Sequence, residues 1–188
     1  MNKDLNVETH GLFRCHYDVL TEEECQALHK EVRSEEIGET SLPLLKRIAD
    51  LGKAYNDDLL KFNVDLSMPE ARTFDGWEGE SKVSLVPDHG IHTGNITKDN
   101  IVKFVAVVNV SSRDDVQGGE LIFKNWAPST RVDNFGAVIS SEAGNQPNWT
   151  NEQGTVIFFP AVEQMGFNLI TSGPYKRLKI LFKGPAYV

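Results

Sequence analysis

The stretch Val102–Val110 limits the fold more than any other part of the chain, because it is apolar throughout except at Lys103 and Asn109. A strand with one wet face alternates apolar and polar residues, whereas a continuous β-branched run belongs to a strand covered on both faces. The chain must therefore lay one layer of structure on each side of this strand. Its 188 residues suffice for a single domain with one sizeable core, taken here as residues 1–188.

The flanking segments say what those layers are. Residues 11–18 (GLFRCHYD) read as a strand. Thr21 and Glu24 form a capping box that opens a helix with Cys25, Leu28 and Val32 on one face. Ser41 is expected to cap a second helix lined by Leu45, Ile48 and Leu51 and ended by Gly52 and Asn56. Beyond it the pattern turns to strands. Leu60, Phe62, Val64 and Leu66 alternate with polar neighbours, and Lys82–Val86 is short and β-rich. Gly118 and Gly119 mark a turn before a strand over Glu120–Lys124, and further strands are expected at 154–160 (GTVIFFP), Gly166–Thr171 and Lys176–Lys183. Between them, residues 125–153 hold Trp126 and Trp149 without a clear period, and a loop that long in a small domain usually serves function or an interface. Two helices followed by about eight strands predict an all-β sandwich or barrel. Residues 1–56 act as helical support packed on one sheet, and 57–188 form the β core.

Charge and targeting signals narrow the function classes. A net charge of −8 argues against a general binder of nucleic acid or anionic membrane. No run of about 18 apolar residues exists to span a bilayer. MNKDLNVETH has no apolar stretch, so no signal peptide is expected, and the expected site is the cytoplasm, or the host cytoplasm or virion for a viral chain. Cys15 and Cys25 lack metal-type spacing and are expected as reduced packing residues.

Three segments in order resemble the prolyl-hydroxylase-like branch of the Fe(II)/2-oxoglutarate oxygenases. FRCHYDVLTEEECQALHKEV (13–32) looks like that branch's first strand and helix. KFVAVVNVSSRDDVQGGELIF (103–123) looks like its long core strand, loop and GGEL turn. GTVIFFPAVEQMGFNLITSGPYKRLKI (154–180) looks like its closing strands with the FP and TSG turns. The resemblance implies a double-stranded β-helix, or jelly roll, with Fe(II) and 2-oxoglutarate as cofactors. In the family a His-x-Asp pair on one strand and a distal histidine hold the iron, and an arginine beyond the distal histidine pairs with the far carboxylate of 2-oxoglutarate.

Carried over, the first motif falls on His92-Thr93-Gly94, which keeps the histidine and lacks the carboxylate. Counted without gaps from FFP, the distal histidine falls on Met165, and the arginine on Tyr175 with Lys176 and Arg177 beside it. Only His92 remains as a ligand, since neither Gly94 nor Met165 can replace what is lost. Three arrangements would restore a metal site. His16-Tyr17-Asp18 reads His-x-Asp but lies in the first strand, outside the β-helix core. A halide could replace the carboxylate at Gly94, yet halogenases keep the distal histidine. His89, His92 and Glu163 could form a remodelled site, although His89 and His92 point to opposite faces of a strand.

Tyr175, Arg177 and Lys179 share one strand face and could hold a small carboxylate without iron, or could sit on a solvated edge paired with acidic residues. Met165, Phe167 and Leu169 share a face and are expected to fill the space left by lost ligands. The resulting expectation is an oxygenase-fold protein without the iron triad or cofactor, serving binding or assembly, including as a viral structural module. Its partner would be a protein or a second copy, met through Trp126 and Trp149. The alternative is a working Fe(II)/2-oxoglutarate oxygenase or halogenase with an unusual ligand set.

Overall fold

The computed structural model describes residues 6–81, 101–123, 131–132, 138–140 and 152–185. Strands β1 (Val7–His10) and β2 (Phe13–His16) precede helices α1 (Glu22–Ser34) and α2 (Ser41–Tyr55). Strands β3 (Asp65–Thr73), β4 (Ile101–Asn109), β5 (Gln117–Gly118), β6 (Leu121–Phe123), β7 (Arg131–Val132) and β8 (Val138–Ser140) follow. The last are β9 (Val156–Pro160), β10 (Met165–Phe167), β11 (Ile170–Ser172) and β12 (Arg177–Gly184). The main sheet has the order β1-β2-β9-β4-β12-β3, and β10 pairs with β6, β11 with β5 and β7 with β8. All of these pairings are antiparallel.

The apolar run becomes β4, and it is covered on both sides as expected. Phe104, Ala106 and Val108 join Phe158, Leu178, Ile180 and Phe182 in a core with Cys25, Leu28, Val32, Leu45 and Ile48 of the two helices. Val105 and Val107 face the other way, toward Ile157, Phe159, Leu121, Phe123, Met165 and Phe167. Each such side chain contributes about 1.5–3 kcal/mol on full burial, so the two cores set the sheet's position between its layers. The capping box forms: Glu24 N–H donates to Thr21 Oγ1 at 3.2 Å, and Thr21 N–H to Glu24 Oε2 at 3.0 Å. Both cysteines are buried and unpaired, and burial raises both thiol pKa values. No helix among the described residues is long and apolar enough to cross a membrane.

Several expectations need correction. Strand β1 was not foreseen; its residues are exposed and pair only along β2, so they carry no burial pattern. Ser41 is buried as the first helical residue, and Thr40 before it makes no side-chain cap. Gly52 does not end α2 but lets the helix approach the sheet, because a Cβ there would lie 3.1 Å from Phe182 Cζ. The helix runs on into a π-helical turn over Asn56–Leu60, so the strand expected from Leu60 begins only at Asp65. The stretch Gly166–Thr171 is two strands rather than one. The Asn168 and Gly119 amides bond Glu120 O and Leu169 O between them, which turns the chain and leaves Leu169 52% exposed rather than beside Phe167. Within 125–153, β7 and β8 form a short ladder. Lys82–Val86, Trp126 and Trp149 lie outside the described residues.

Candidate functional site

Strand β12 lies inside the sheet, between β4 and β3, so its backbone is paired on both edges and its side chains leave by the two faces. Its helix-facing residues are Leu178, Ile180 and Phe182. Arg177 faces the opposite layer, and both it and Tyr175 are fully buried. The solvated-edge reading is overturned for Arg177, because the layer opposite the helices covers its side chain, while Lys179 on the same face stays partly exposed.

Three aromatic rings surround the Arg177 guanidinium. Its carbon lies 4.3 Å from the Tyr175 ring centroid, 4.9 Å from Phe167 and 5.0 Å from Phe74. Ring faces carry partial negative charge, so this cage favours a cation without neutralising it. Nη1 donates to Gly119 O at 2.9 Å. Nε and Nη2 are buried and have no hydrogen-bond partner among the described residues. Burial pulls the Arg177 pKa down to about 10, against the pull of Tyr175 and Asp75, so the side chain stays cationic at neutral pH. Burial likewise pushes the Tyr175 phenol up to about 12, opposed by Arg177 and Asn109.

The GGEL turn shapes one wall of the cage. Gly118 and Gly119 have φ of +74° and +72°, a region glycine enters without strain. A Cβ on Gly119 would lie 2.8 Å from Tyr175 Cδ2, so only glycine lets this carbonyl sit over Arg177. Tyr175 is fixed from behind by reciprocal 2.8 Å backbone bonds with Gly76.

Two further residues hold the strand here. Asp75 Oδ1 accepts the Arg177 backbone N–H at 3.2 Å and the Nε2–H of His29, from α1, at 2.8 Å. His29 is 4% exposed. Sequence reasoning missed both. His29 does fall one helical turn beyond Cys25 on the buried face, a usable signal, but Asp75 carries none.

Of the three residues expected to bind an anion, Tyr175 and Arg177 meet, and Lys176 does not join them. The Lys176 amide donates to Ser111 Oγ at 2.7 Å, and its side chain lines a groove beside α1. Strand alternation accounts for this parting. Lys179 Nζ lies 4.7 Å from the Phe74 ring centroid.

The expected metal positions divide. His89, His92 and Gly94 lie outside the described residues. Met165 is 3% exposed and pairs with Phe123, within the core that also holds Phe159. His16 stands in β2, edge-on to Phe158 with ring centroids 5.7 Å apart, and so faces the helix layer rather than the layer of Arg177. Asp18 follows with a φ of 53°. Glu163 is half-buried in the turn after β9, its amide bonded to Pro160 O at 3.0 Å. Among the described residues no group of three His, Cys, Asp or Glu side chains could hold a metal.

No protein-family model and no curated protein sequence matches the chain. Solved structures do. The chain superposes on the viral collagen prolyl hydroxylase of Paramecium Bursaria Chlorella virus-1, in its 2OG complex, with a TM-score of 0.56 and 12% identity. That overlay covers 92% of this chain and 96% of the viral one. A prolyl-4-hydroxylase of Pseudomonas putida gives a TM-score of 0.55 at 18% identity, over 94% and 86% of the two chains. The chain has the prolyl-hydroxylase fold. In this chain two N-terminal helices back a strand-rich body. A shared fold leaves the chemistry to individual side chains, and at 12% and 18% identity the fold is what is shared.

Proposed function

We propose that this chain is a prolyl-hydroxylase-fold binding module, a double-stranded β-helix that has lost iron chemistry and keeps a buried cation for a small carboxylate. The observation that carries the reading is the Arg177 guanidinium, fully buried with Nε and Nη2 lacking partners among the described residues. A buried polar group left unpaired costs about 1–3 kcal/mol, and more when charged. A carboxylate presents two acceptor oxygens at the spacing of a guanidinium edge, and so relieves that cost on binding.

Iron does not fit the residues at hand. The position matched to the distal histidine is Met165, a thioether buried among aromatic rings and a poor ligand for Fe(II) beside nitrogen and oxygen donors. Gly94 has no side chain to coordinate. The scaffold then serves binding or assembly rather than turnover, with Trp126 and Trp149 as the proposed anchors for a protein partner.

Calorimetric titration with 2-oxoglutarate and with succinate, in buffer containing a chelator, tests the carboxylate site. Binding to the wild type is expected without metal, with loss in Arg177→Met and weakening in Arg177→Lys. Metal analysis and a 2-oxoglutarate consumption assay with added Fe(II) test the rest. Stoichiometric iron that disappears in His92→Ala, together with turnover, would overturn the proposal in favour of an active oxygenase.

A further inference from the structure

We infer that the groove between α1 and the turn entering β12 is a docking site for an acidic peptide segment of a partner protein. It is open to solvent, has a volume of about 580 Å³ and is lined by Gln26, His29, Lys30, Arg33, Ser34 and Lys176. A volume of this size holds several side chains rather than one oxyanion.

Its charge is opposite to that of the chain as a whole. The chain carries a net −8. Arg14, Lys46, Arg47, Lys53, Arg72, Arg113 and Lys183 each pair with a carboxylate. Lys30, Arg33 and Lys176 have no ion pair among the described residues, nor does the exposed Lys61, and the first three gather in this one groove. Glu31 accepts the Gly38 amide at 2.7 Å, and Asp75 Oδ1 is taken by His29 and the Arg177 amide. Arg33 by itself is accounted for by the helix C-terminus, where a cation is favourable. Lys176 is not, since it comes from another element and its backbone is clamped to Val110 and Ser111.

Placement of the cations favours an extended peptide. Gln26, His29, Lys30 and Arg33 fall at i, i+3, i+4 and i+7 on α1, a single stripe about 10 Å long at 1.5 Å per residue. Lys176 adds a cation from outside the helix. Successive side chains of an extended segment point to opposite sides, so neighbouring acidic residues would reach Lys30 and Arg33 on one side and Lys176 on the other. Gln26 and Ser34 supply hydrogen-bonding groups for the peptide backbone. The inference does not rest on the carboxylate site at Arg177.

Fluorescence anisotropy with labelled hexaglutamate tests it, with hexaglutamine as the neutral control. Hexaglutamate should bind the full chain and weaken as salt is raised, and hexaglutamine should not bind. Lys30→Glu with Arg33→Glu should lower the affinity about tenfold or more, and Lys176→Glu should lower it as well. Lys46→Glu, on α2, should leave it unchanged. Absence of hexaglutamate binding, an equal loss in Lys46→Glu, or displacement by inorganic phosphate at the same concentration as peptide would each overturn the inference. All substituted groove residues except Lys176 are exposed, and circular dichroism checks that every variant is folded.

Discussion

His29 Nε2 lies 2.8 Å from Asp75 Oδ1, and the same oxygen accepts the backbone N–H of Arg177 at 3.2 Å. One carboxylate thus joins a helix to a strand 102 residues away from Asp75 in sequence. Through it the helix layer bears on the strand that carries the buried cation.

Replacing Asp75 should destabilise the fold through both partners. Asp75→Ala leaves the buried His29 ring and the Arg177 amide without their acceptor, at a cost of about 1–3 kcal/mol for each group left unpaired. Asp75→Asn keeps a carbonyl acceptor and should lose less. Urea unfolding measures the order; equal stability of Asp75→Ala and wild type would show that water replaces the bonds.

Arg177→Met should separate function from stability. Exchanging a buried charge for an apolar side chain of similar length is often neutral, or stabilising by about 1–4 kcal/mol. The thermal midpoint should therefore hold or rise while carboxylate binding disappears. A midpoint several degrees lower would instead make the cation part of the structural core.

Acid should weaken the protein through His16 before its carboxylates titrate. Burial, with Arg14 secondary, lowers the His16 pKa from 6.5 to about 4. The unfolded chain then takes up the proton first, so this contribution is complete above pH 6.5 and declines as pH falls toward 4. Glu24, held below its usual 4.5 chiefly by its bond to Arg47, loses its contribution only at lower pH. Thermal melts across that upper window should show a slope that flattens in His16→Phe, which keeps the aromatic contact with Phe158. An unaltered slope in the variant would assign the effect to other groups.

Restoring ligands should restore metal affinity. Met165→His by itself places an imidazole in an apolar core and should cost about 1–3 kcal/mol. Combined with Gly94→Asp, it should raise Co(II) affinity above wild type, seen as a visible absorption band, and metal should then stabilise the double variant. Unchanged Co(II) binding in a folded double variant would mean that Gly94 and Met165 are not the family's ligand positions.

The layout of the body was legible because its signals are local. A continuous apolar run demands cover on two faces, a Thr-x-x-Glu spacing closes a helix start, and paired glycines permit a left-handed turn. Elements without such a signal were missed. Strand β1 is exposed throughout, α2 runs past Gly52 because that glycine serves packing, and two amide bonds break what reads as one strand at Asn168 and Leu169.

Sequence by itself determined which side chains share a face, since strand and helix periods follow from backbone geometry alone. It placed Tyr175 and Arg177 together and gave Met165 where a ligand was expected. Tertiary structure decided what covers each face. The burial of Arg177 depends on Phe74, just past β3, and Phe167, on β10, packing over its side chain, and on Asp75 meeting His29. A charge on a strand is solvated or buried according to its neighbours in space, and no local period encodes a neighbour far along the chain.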